Sequence, residues 1–543
     1  MIAINAVDSL QKLWPESHIE KNVANPECFQ NEIAGVQIAV KNTGVPMRNC
    51  RFAIESSVPV SLRRVGYVPG DFTYHPDSDE YVLGKNLHLF PDPLLPVSTE
   101  NFVLKGNSLN VFWMTLGSGE CMAPGKYPVR VILYDEKGEA EGEVSFTLTV
   151  LEGVLPESDL VVTDWMHYDC ICNYYRVKPF GKKFTALTES FLDMALRHGI
   201  NAVYVPLFTP PLDTEVGGER TTVQLIGVEQ EGKEYRFDFS RLDKLLRRAD
   251  KLGAKYFEFS HLFTQWGAQA APKIEAKRNG QTEKIFGWET PADGAAYTGF
   301  LESFLPRLGS FLKEKGLAGR SFFHISDEPS AYWLKDYTAR RALFKRLLPD
   351  FVHIDALSEI EFLEKGLVDI PVAVTEVADK FAASGKEYWV YYCFPQCKDN
   401  LSNRMMNMPS ERTRILGMQL YRNGAKGFLH WGYNFYNTAL SLRSVNPFFE
   451  TDAGGFFQSG DSFIVYPGEE GALSSVRLEV FREAMQDYRA LMLLESRIGK
   501  EETLAFLREE QINGFTQYPH GSENFLNLRR RLNEKIIASG GRS

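Results

Sequence analysis

Short apolar runs alternate with helical patterns between residues 160 and 432, and this alternation constrains the fold more than any other feature of the chain. The segments between the runs carry apolar residues at helical spacing, as in 239–253. Eight such β–α units over about 270 residues predict a (β/α)8 TIM-like barrel. A doubly wound sheet is the alternative, but no G-x-G-x-x-G follows any of the runs. The predicted strands are 160–169, 201–208, 255–261, 320–326, 352–357, 369–374, 387–393 and 426–432.

Residues 1–155 predict an N-terminal β-sandwich. Residues 35–44 alternate apolar and polar side chains and end in a turn, and 125–153 contains two such runs around a charged loop with a glycine. Short strands separated by Pro, Gly and Asn are typical of sandwiches. The chain is therefore predicted to be a multidomain α/β protein, with the sandwich at 1–155, the barrel at 156–499 and a polar helical extension at 500–543.

Charge and hydropathy exclude two classes of partner. Lys and Arg number 60 against 70 Asp and Glu, a net charge of −10 that no basic stripe offsets, so a nucleic-acid partner is not expected. No apolar stretch is long enough to span a membrane. Because the N-terminus lacks a basic start followed by an apolar run, we expect a cytoplasmic protein as the sequence stands, or a secreted one if a leader has been removed.

The cysteines and histidines do not predict a metal site. Cys170 and Cys172, like Cys393 and Cys397, have the wrong spacing for zinc, and the ten histidines include no H-E-x-x-H. The seven cysteines are odd in number and scattered along the chain. This pattern indicates free thiols rather than a disulfide framework.

Two adjacent carboxylates, Asp327 and Glu328, follow the fourth predicted strand in the stretch FFHISDEPSAYW (322–333). The C-terminal ends of barrel strands carry the catalytic groups. Neighbouring residues on a regular strand point to opposite faces. We therefore expect Pro329 to end the strand and to hold Glu328 in an extended conformation that turns its carboxylate over the barrel mouth. Two like charges that lose hydration together favour a functional pair over a solvated loop.

Aromatic side chains occur at several other predicted strand ends, among them Trp165, Trp389 and Trp431. Aromatic rings stack against the C–H faces of sugars, and their polar edges bind hydroxyls. A group of rings around two acids therefore indicates a carbohydrate substrate. The predicted substrate-binding residues are Trp165, His261, Tyr392, Trp431, Tyr433 and Asn434.

The seventh predicted strand ends in WVYYCFP (389–395) and contains no carboxylate. A retaining glycosidase of the usual kind needs a nucleophilic carboxylate about 5 Å from its acid/base, and in many sugar-cleaving barrels that residue ends strand seven. Its absence indicates a substrate-assisted mechanism, in which the sugar's own 2-acetamido group attacks the anomeric carbon. One acid would orient the acetamido group, the other would protonate the leaving oxygen, and a tyrosine of strand seven would hold the acetamido oxygen.

Four sequence motifs resemble glycoside hydrolase family 123. They are HISDEPS (324–330), FLHWGYNFYN (428–437), GDSFIVYPG (460–468) and SSVRLEVFREAMQDY (474–488). That family comprises β-N-acetylgalactosaminidases and has a β-sandwich in front of its barrel. The C-terminal region of the chain also resembles the domain of unknown function 4091.

The resemblance implies a retaining exo-glycosidase that releases β-linked N-acetylgalactosamine from the non-reducing ends of oligosaccharide or glycolipid glycans. Glu328 would be the general acid/base, and Asp327 would orient the acetamido group. No metal and no organic cofactor would be needed. The acid role requires a raised pKa for Glu328, because a free glutamate titrates at about 4.3.

Two other functions are open to the same residues. A hydrolase of a sugar without an acetamido group would pair Glu328 with a separate carboxylate, either Glu376 or Asp355. A non-catalytic glycan-binding barrel would bind equally well after Glu328→Gln and would turn over nothing, since a fold alone does not determine function. Dependence of the rate on the N-acetyl group separates the first alternative from substrate assistance.

Overall fold

The computed structural model describes residues 1–19, 23–70, 78–84 and 88–540. Ten strands form its N-terminal part, and they are β1 (Ile2–Asp8), β2 (Glu27–Phe29), β3 (Ala34–Asn42), β4 (Met47–Ser56), β5 (Val60–Gly70), β6 (His88–Pro96), β7 (Phe102–Leu104), β8 (Ser108–Leu116), β9 (Gly125–Tyr134) and β10 (Ala140–Leu151). They make two five-stranded sheets, one in the order β1-β3-β8-β5-β6 and the other in the order β2-β10-β9-β4-β7.

The two N-terminal sheets share one hydrophobic core. Every second residue of β10 is buried from Val144 to Val150, as expected for a strand with one solvated face. These side chains belong to the same buried cluster as Ile38 and Phe112 of the other sheet. The hairpin predicted at 125–153 is present, because β9 and β10 pair antiparallel.

The rest of the chain alternates strands and helices. Its strands are β11 (Val161–Asp164), β12 (Ala202–Val205), β13 (Gly227–Glu231), β14 (Glu234–Asp238), β15 (Tyr256–Phe259), β16 (Ile274–Arg278), β17 (Gln281–Phe286), β18 (Ser321–Phe323), β19 (Val352–Leu357), β20 (Ile370–Val374), β21 (Trp389–Tyr391), β22 (Gly427–His430), β23 (Tyr466–Pro467) and β24 (Ala472–Leu473). The α-helices are α1 (Tyr168–Tyr175), α2 (Lys182–Arg197), α3 (Ser240–Lys251), α4 (Ala295–Glu314), α5 (Leu334–Leu347), α6 (Glu361–Glu364), α7 (Ala378–Ala383), α8 (Ser410–Arg414), α9 (Leu416–Asn423), α10 (Val476–Ile498), α11 (Lys500–Glu509) and α12 (Ser522–Gly540). Short 3-10 helices lie at Ala318–Arg320, Ala331–Trp333, Thr375–Val377 and Ala439–Ser441.

Eight parallel strands close into a barrel in the order β11-β12-β15-β18-β19-β20-β21-β22. Each of them lies within one of the eight predicted runs, so the predicted barrel is confirmed. The runs are predominantly apolar because one face of each strand packs inside the barrel and the other packs against helices. Trp389 and Leu429 lie inside, whereas Val390 and Phe428 belong to the outer core. A Cβ atom on Gly427 would come within 2.4 Å of the Trp389 ring, so only glycine fits there.

A second sheet is built from the loops that follow β12 and β15, and the sequence analysis did not predict it. Its order is β14-β13-β16-β17. The strands β13 and β14 form an antiparallel hairpin, and their side chains alternate between more and less exposed positions. The sequence signal was the alternation in residues 227–238, around a turn that contains a glycine.

The helix α10 joins the barrel to the N-terminal sheets and to the C-terminal helices. Its buried residues Val476 and Val480 share a hydrophobic cluster with Trp113 of β8 and with Leu528 and Leu532 of α12. The helix begins after Ser475, whose hydroxyl accepts a hydrogen bond from the backbone N–H of Leu478. The C-terminal helices therefore bury an apolar face against the rest of the molecule.

Candidate active site

The acid pair lies at the mouth of the barrel, just beyond β18. Glu328 has a φ of +41°, which is the left-handed region and not the extended conformation that the sequence analysis expected of the residue before Pro329. A non-glycine residue in this region costs about 1–3 kcal/mol and persists only where the surroundings hold it. Here the backbone N–H of Trp266 donates to the carbonyl of Asp327 at 2.9 Å. The chain turns at Glu328 because neighbouring loops hold it there, not because proline extends it.

Tyr391, at the end of β21, is the tyrosine that meets the acid pair. Its hydroxyl donates to Oε1 of Glu328 at 2.7 Å. The predicted residue, Tyr392, is the next along the chain, and it is fully buried outside the barrel against Phe428. Successive side chains of a strand point to opposite faces, so the two tyrosines cannot both face the acid pair. The predicted residue, Tyr392, is therefore replaced by Tyr391 at the site. The signal was available, because Trp389 and Tyr391 share the inner face.

The environment of the mouth favours the protonated forms of both acids. Glu328 is exposed to the mouth, but the protein around it displaces bulk water and raises the pKa of its carboxyl, and the Tyr391 hydrogen bond opposes that rise. The same displacement of water, together with the charge of Glu328, raises the pKa of Asp327 well above its ordinary value. The pair can therefore hold a proton at a pH where a free carboxyl has lost it.

A buried ion network lies beneath the acid pair. His324 donates or shares a proton on both sides, with Nε2 at 2.6 Å from Glu258 Oε1 and Nδ1 at 3.0 Å from Asp355 Oδ1. Burial alone would lower the pKa of His324, but its hydrogen bonds to Asp355 and Glu258 and their charges raise it to about 9. Trp165 donates its indole N–H to Glu258 Oε1 at 2.7 Å. An imidazolium between two carboxylates thus fills the barrel below the mouth.

Asp355 holds the backbone that leads to the acids. Its carboxylate accepts hydrogen bonds from the N–H groups of Ile325 and Ser326 at 3.2–3.3 Å, and from the Tyr337 hydroxyl at 2.6 Å. It also lies 2.8 Å from Nε2 of His353 and is fully buried. Burial favours a higher pKa, but His353 and His324 bring the pKa of Asp355 below its ordinary value. With its oxygens engaged and shielded from solvent, Asp355 positions the acid pair and does not present a nucleophile to a sugar.

The other candidate nucleophile, Glu376, lies in the 3-10 helix after β20. Its Oε1 is 3.1 Å from Nζ of Lys398, and its side chain is partly exposed. Tyr391, and no carboxylate, is the side chain that β21 directs at Glu328. This arrangement matches the absence of a strand-seven carboxylate in the sequence.

The remaining predicted binding residues divide into two groups. Trp165 and His261 are buried under the mouth, where the His261 ring stacks on His324 at 4.3 Å between centroids. Trp431 is half-buried and donates its indole N–H to Asp461 at 3.0 Å. All three are on the side of the barrel that carries the acids, and Nε2 of His261 has no hydrogen-bond partner among the described residues.

Tyr433 and Asn434 have structural contacts instead of a place in the mouth, which corrects the prediction for both. The Tyr433 hydroxyl donates to the Phe191 carbonyl at 2.8 Å, and the Asn434 side chain bridges the backbone N–H and C=O of His167 at 2.7 and 3.1 Å. Both are fully buried. Strand β22 ends at His430, so the alternation of faces used to place these residues no longer holds beyond it.

A further carboxylate, Asp213, was not found by sequence reasoning. It lies in the loop after β12 with a φ of +39° and accepts a hydrogen bond from the backbone N–H of Leu440 at 3.1 Å. Burial raises the pKa of Asp213 to about 6, and its charge contributes to the raised pKa of Asp327. No periodic pattern marks a residue in an irregular loop, so no sequence signal pointed to it.

Three buried groups in the network have the spacing of a metal site. Ligand atoms of His261, His324 and Asp355 lie within 4.8 Å of one another. However, both ring nitrogens of His324 are engaged with carboxylates, Nε2 with Glu258 at 2.6 Å and Nδ1 with Asp355 at 3.0 Å. An imidazole that donates from both nitrogens has no lone pair left for a metal, so the contacts of the cluster are those of a buried ion network.

The structure also bears on membrane spans. Among the described residues, no helix combines the length and the apolar character that crossing a bilayer requires.

Comparison with known proteins gives a family for the chain. The family model of the glycoside hydrolase 123 catalytic domain matches residues 165–494, more than half of the sequence. A solved family 123 glycoside hydrolase from Clostridium perfringens, studied for glycolipid glycan hydrolysis, covers 100% of this chain and 98% of its own at 15% identity, with a TM-score of 0.74. A family 5 mannosidase from Rhizomucor miehei covers 63% of this chain and 95% of its own at 11% identity, with a TM-score of 0.36. A search of curated proteins found no match.

The family model and the resemblance in the sequence motifs agree. The match covers the acid pair, the strand-seven tyrosine and most of α10. The similarity to the Clostridium perfringens enzyme extends over both N-terminal sheets and the barrel, and at its low identity it supports the fold. The protein is a glycoside hydrolase and belongs to glycoside hydrolase family 123.

Proposed function

We propose that this enzyme is a retaining exo-glycosidase that releases β-linked N-acetylgalactosamine from the non-reducing ends of glycans, including those of glycolipids. The observation that carries the proposal is the contact at strand seven, where the Tyr391 hydroxyl meets Glu328 in the place of a nucleophilic carboxylate. The similar enzyme from Clostridium perfringens, studied for glycolipid glycan hydrolysis, supports the class of substrate. We infer that the two N-terminal sheets are the β-sandwich that accompanies the barrel.

In the proposed first step, the substrate supplies its own nucleophile. Asp327 accepts a hydrogen bond from the acetamido N–H, which turns the acetamido oxygen toward the anomeric carbon. Glu328, protonated in the mouth, donates its proton to the glycosidic oxygen as the bond to the leaving group breaks. Tyr391 exchanges its hydrogen bond to Glu328 for one to the acetamido oxygen. The products are an oxazolinium ion, the free leaving group and an ionised Glu328.

In the second step, water opens the oxazolinium ion. Glu328 now acts as a base and takes a proton from the water that attacks the anomeric carbon. The sugar leaves with its original β configuration because the anomeric carbon has been inverted twice. When the proton of the pair is on Glu328, the charge of Glu328 no longer opposes ionisation of Asp327. The ionised Asp327 then stabilises the positive charge that develops on the acetamido group, which is why the mechanism needs two acids side by side.

The proposal is tested with matched aryl β-glycosides of GalNAc, GlcNAc and galactose. We expect release from the β-GalNAc glycoside and none from the galactoside, with the β anomer as the first product in proton NMR. Equal or faster release from the galactoside would refute substrate assistance and direct attention to Glu376. An α anomer as first product would contradict retention.

A further inference from the structure

Two loops beside the acid pair carry aromatic side chains that the proposed steps do not use. Trp266 lies at the tip of the loop after β15 and is 47% exposed. Tyr332, 82% exposed, and Trp333 belong to the 3-10 helix that begins three residues after Glu328, and their rings meet edge to face with centroids 4.8 Å apart. Trp266, Tyr332 and Trp333 are called the aromatic patch below.

Backbone contacts fix the first loop against the acid segment. The N–H groups of Leu262, Phe263 and Trp266 donate to the carbonyls of His324, Ile325 and Asp327 at 3.3, 3.1 and 2.9 Å. Ser326 donates its hydroxyl to the carbonyl of Thr264 at 2.8 Å in the same pair of segments. The loop therefore runs beside residues 324–327, and Trp266 is attached to the backbone of Asp327 itself.

A close approach of the two loops fixes the patch. A Cβ atom on Gly267 would come within 3.0 Å of Cδ1 and Nε1 of Trp333, so the indole of Trp333 rests on this glycine. The loop that carries Trp266 therefore contacts Trp333 through Gly267, the residue that follows Trp266. These contacts hold the patch beside the acid segment.

Core packing does not explain Trp266. Its φ of +61°, like the +52° of Ala268 in the same loop, lies in the left-handed region that disfavours side chains. Among the described residues, no aromatic ring stacks on its indole and no hydrogen-bond acceptor pairs with it. A large apolar ring that is held at a mouth, exposed and without a ring partner is typical of a binding surface.

We propose that the aromatic patch binds the sugar ring on the leaving-group side of the scissile bond. This inference rests on the proposed function, in which Glu328 protonates the glycosidic oxygen. That oxygen is bonded to the first ring of the leaving group, so this ring must lie next to Glu328. Tyr332 and Trp333 of the patch follow Glu328 by four and five residues along the chain. A pyranose presents an apolar C–H face that stacks on aromatic rings. The patch makes the enzyme select a sugar as the leaving group.

The test separates binding at the patch from catalysis. In the Glu328→Gln background, which leaves the glycan intact, calorimetry compares methyl β-GalNAc with a disaccharide of β-GalNAc linked to galactose. We expect Trp266→Ala to weaken binding of the disaccharide about tenfold and binding of the methyl glycoside less than about twofold. Trp266→Phe should retain most of the affinity. Val45→Ala, an exposed apolar change in the turn between β3 and β4, is the control and should alter the binding of neither ligand.

The possible results separate the assignment of the patch from the proposed function. Equal effects of Trp266→Ala on both ligands, or no effect on the disaccharide, would overturn the assignment of the patch while the proposed function stands. Failure of the Glu328→Gln enzyme to bind either ligand, together with no wild-type turnover of aryl β-GalNAc, would overturn both. A loss confined to glycolipid in vesicles, with the free disaccharide unaffected, would assign the patch to the lipid and also overturn the sugar assignment. Circular dichroism melting of each variant checks that it is folded.

Discussion

At the scale of the residue, the protonation of Glu328 depends on two opposing neighbours. The walls of the mouth displace water and raise the pKa of Glu328, and the hydrogen bond from Tyr391 lowers it. A general acid must hold its proton at the working pH, which a free glutamate with a pKa of about 4.3 does not do. The mouth therefore raises the pKa of Glu328 in the direction that the proposed mechanism requires, and Tyr391 opposes that rise.

Replacing the acid should reveal its role through the leaving group. We expect Glu328→Gln to lower kcat/KM by about 10³- to 10⁴-fold on methyl or oligosaccharide β-GalNAc glycosides, and by less than about tenfold on nitrophenyl glycosides, which need little protonation. Asp327→Asn should slow both kinds of substrate alike, because orientation of the acetamido group precedes departure of either leaving group. Steady-state kinetics on the two substrates measures this. An equal loss on both with Glu328→Gln would argue against the acid role.

Replacing the strand-seven tyrosine should move the pH profile. Tyr391→Phe removes the donor that stabilises ionised Glu328, so the pKa of Glu328 rises and the basic limb of kcat/KM shifts to higher pH. The plateau should fall about 100-fold if the hydroxyl also holds the acetamido oxygen. Tyr392→Phe is the matched control, because the hydroxyl of Tyr392 has no hydrogen-bond partner among the described residues and lies outside the barrel. A shift of the limb to lower pH would contradict the assignment.

At the scale of the element, residues 324–328 are held between two neighbours. Asp355 of β19 accepts hydrogen bonds from Ile325 and Ser326, and the loop after β15 runs along the other side. The segment therefore has little freedom, although it is irregular. This explains how a non-glycine residue can persist at positive φ in Glu328.

Loosening that segment should affect the chemical step more than binding. We expect Asp355→Asn to lower kcat about 10- to 100-fold with a smaller change in KM, because a small displacement of an acid costs rate. Asp369→Asn is the control: it also contacts β19, through the N–H of His353, but at the opposite end from the acids. Its kcat should be unchanged in the folded enzyme. A rise in KM with unchanged kcat for Asp355→Asn would contradict a positioning role.

The same network should make stability depend on pH. The pKa of His324 is raised to about 9, so its contribution to stability is complete below about pH 6.5 and is lost as the pH rises through 9. The shift corresponds to roughly 3 kcal/mol in the free energy of unfolding. Burial raises the pKa of the Asp461 carboxyl to about 7. The contribution of Asp461 to the stability of the protein therefore also falls with rising pH, but between about pH 4 and pH 7.

The difference in Tm between the wild type and His324→Gln isolates the histidine, because Lys12, whose pKa is lowered by burial to about 7, adds stability with rising pH from about 7 in both proteins. We expect the wild type to have the higher Tm at pH 7 and the difference to shrink toward pH 9 and beyond. A difference that stays constant from pH 7 to 9 would show that His324 is not protonated in the folded protein.

At the scale of the whole molecule, buried ion pairs join the N-terminal sheets to the barrel. Arg477 and Glu479 of α10 pair with Asp92 of β6 and Arg63 of β5, at 2.9 and 2.6 Å. These residues of α10 belong to the motif SSVRLEVFREAMQDY, which carried part of the family resemblance. These residues of the motif thus form part of the interface between the N-terminal sheets and the barrel, and they lie outside the mouth.

Removing an ion pair from that interface should destabilise the protein while its active site stays in place. Removing one partner of a buried pair costs about 3–5 kcal/mol, so Asp92→Ala should lower the Tm clearly, because the Arg477 guanidinium is left without its carboxylate. Glu55→Ala removes an exposed partner of Arg130 in the same part of the molecule and should cost less than about 1 kcal/mol. Differential scanning calorimetry of the two variants measures this. Equal losses would show that the buried pair contributes no more than a surface pair.

Local sequence patterns were sufficient to predict the eight-stranded barrel and the position of the acid pair at the end of its fourth strand. A strand buried on both faces is predominantly apolar, and a carboxylate pair before a proline stands out at the end of such a run, so both signals are local. The sheet of β13, β14, β16 and β17 was missed although its alternation was present, because it interrupts the repeat of strand and helix.

The side chains that reach the mouth depend on contacts between segments that are distant in the chain. Tyr391 rather than Tyr392 meets Glu328 through a hydrogen bond across 63 residues of sequence, and Trp266 holds the carbonyl of Asp327 from a different loop. Beyond the ends of strands the alternation of faces no longer applies, and the backbone follows contacts between distant segments. Asp92 and Arg477 lie 385 residues apart in the chain, and no local pattern contains their pairing.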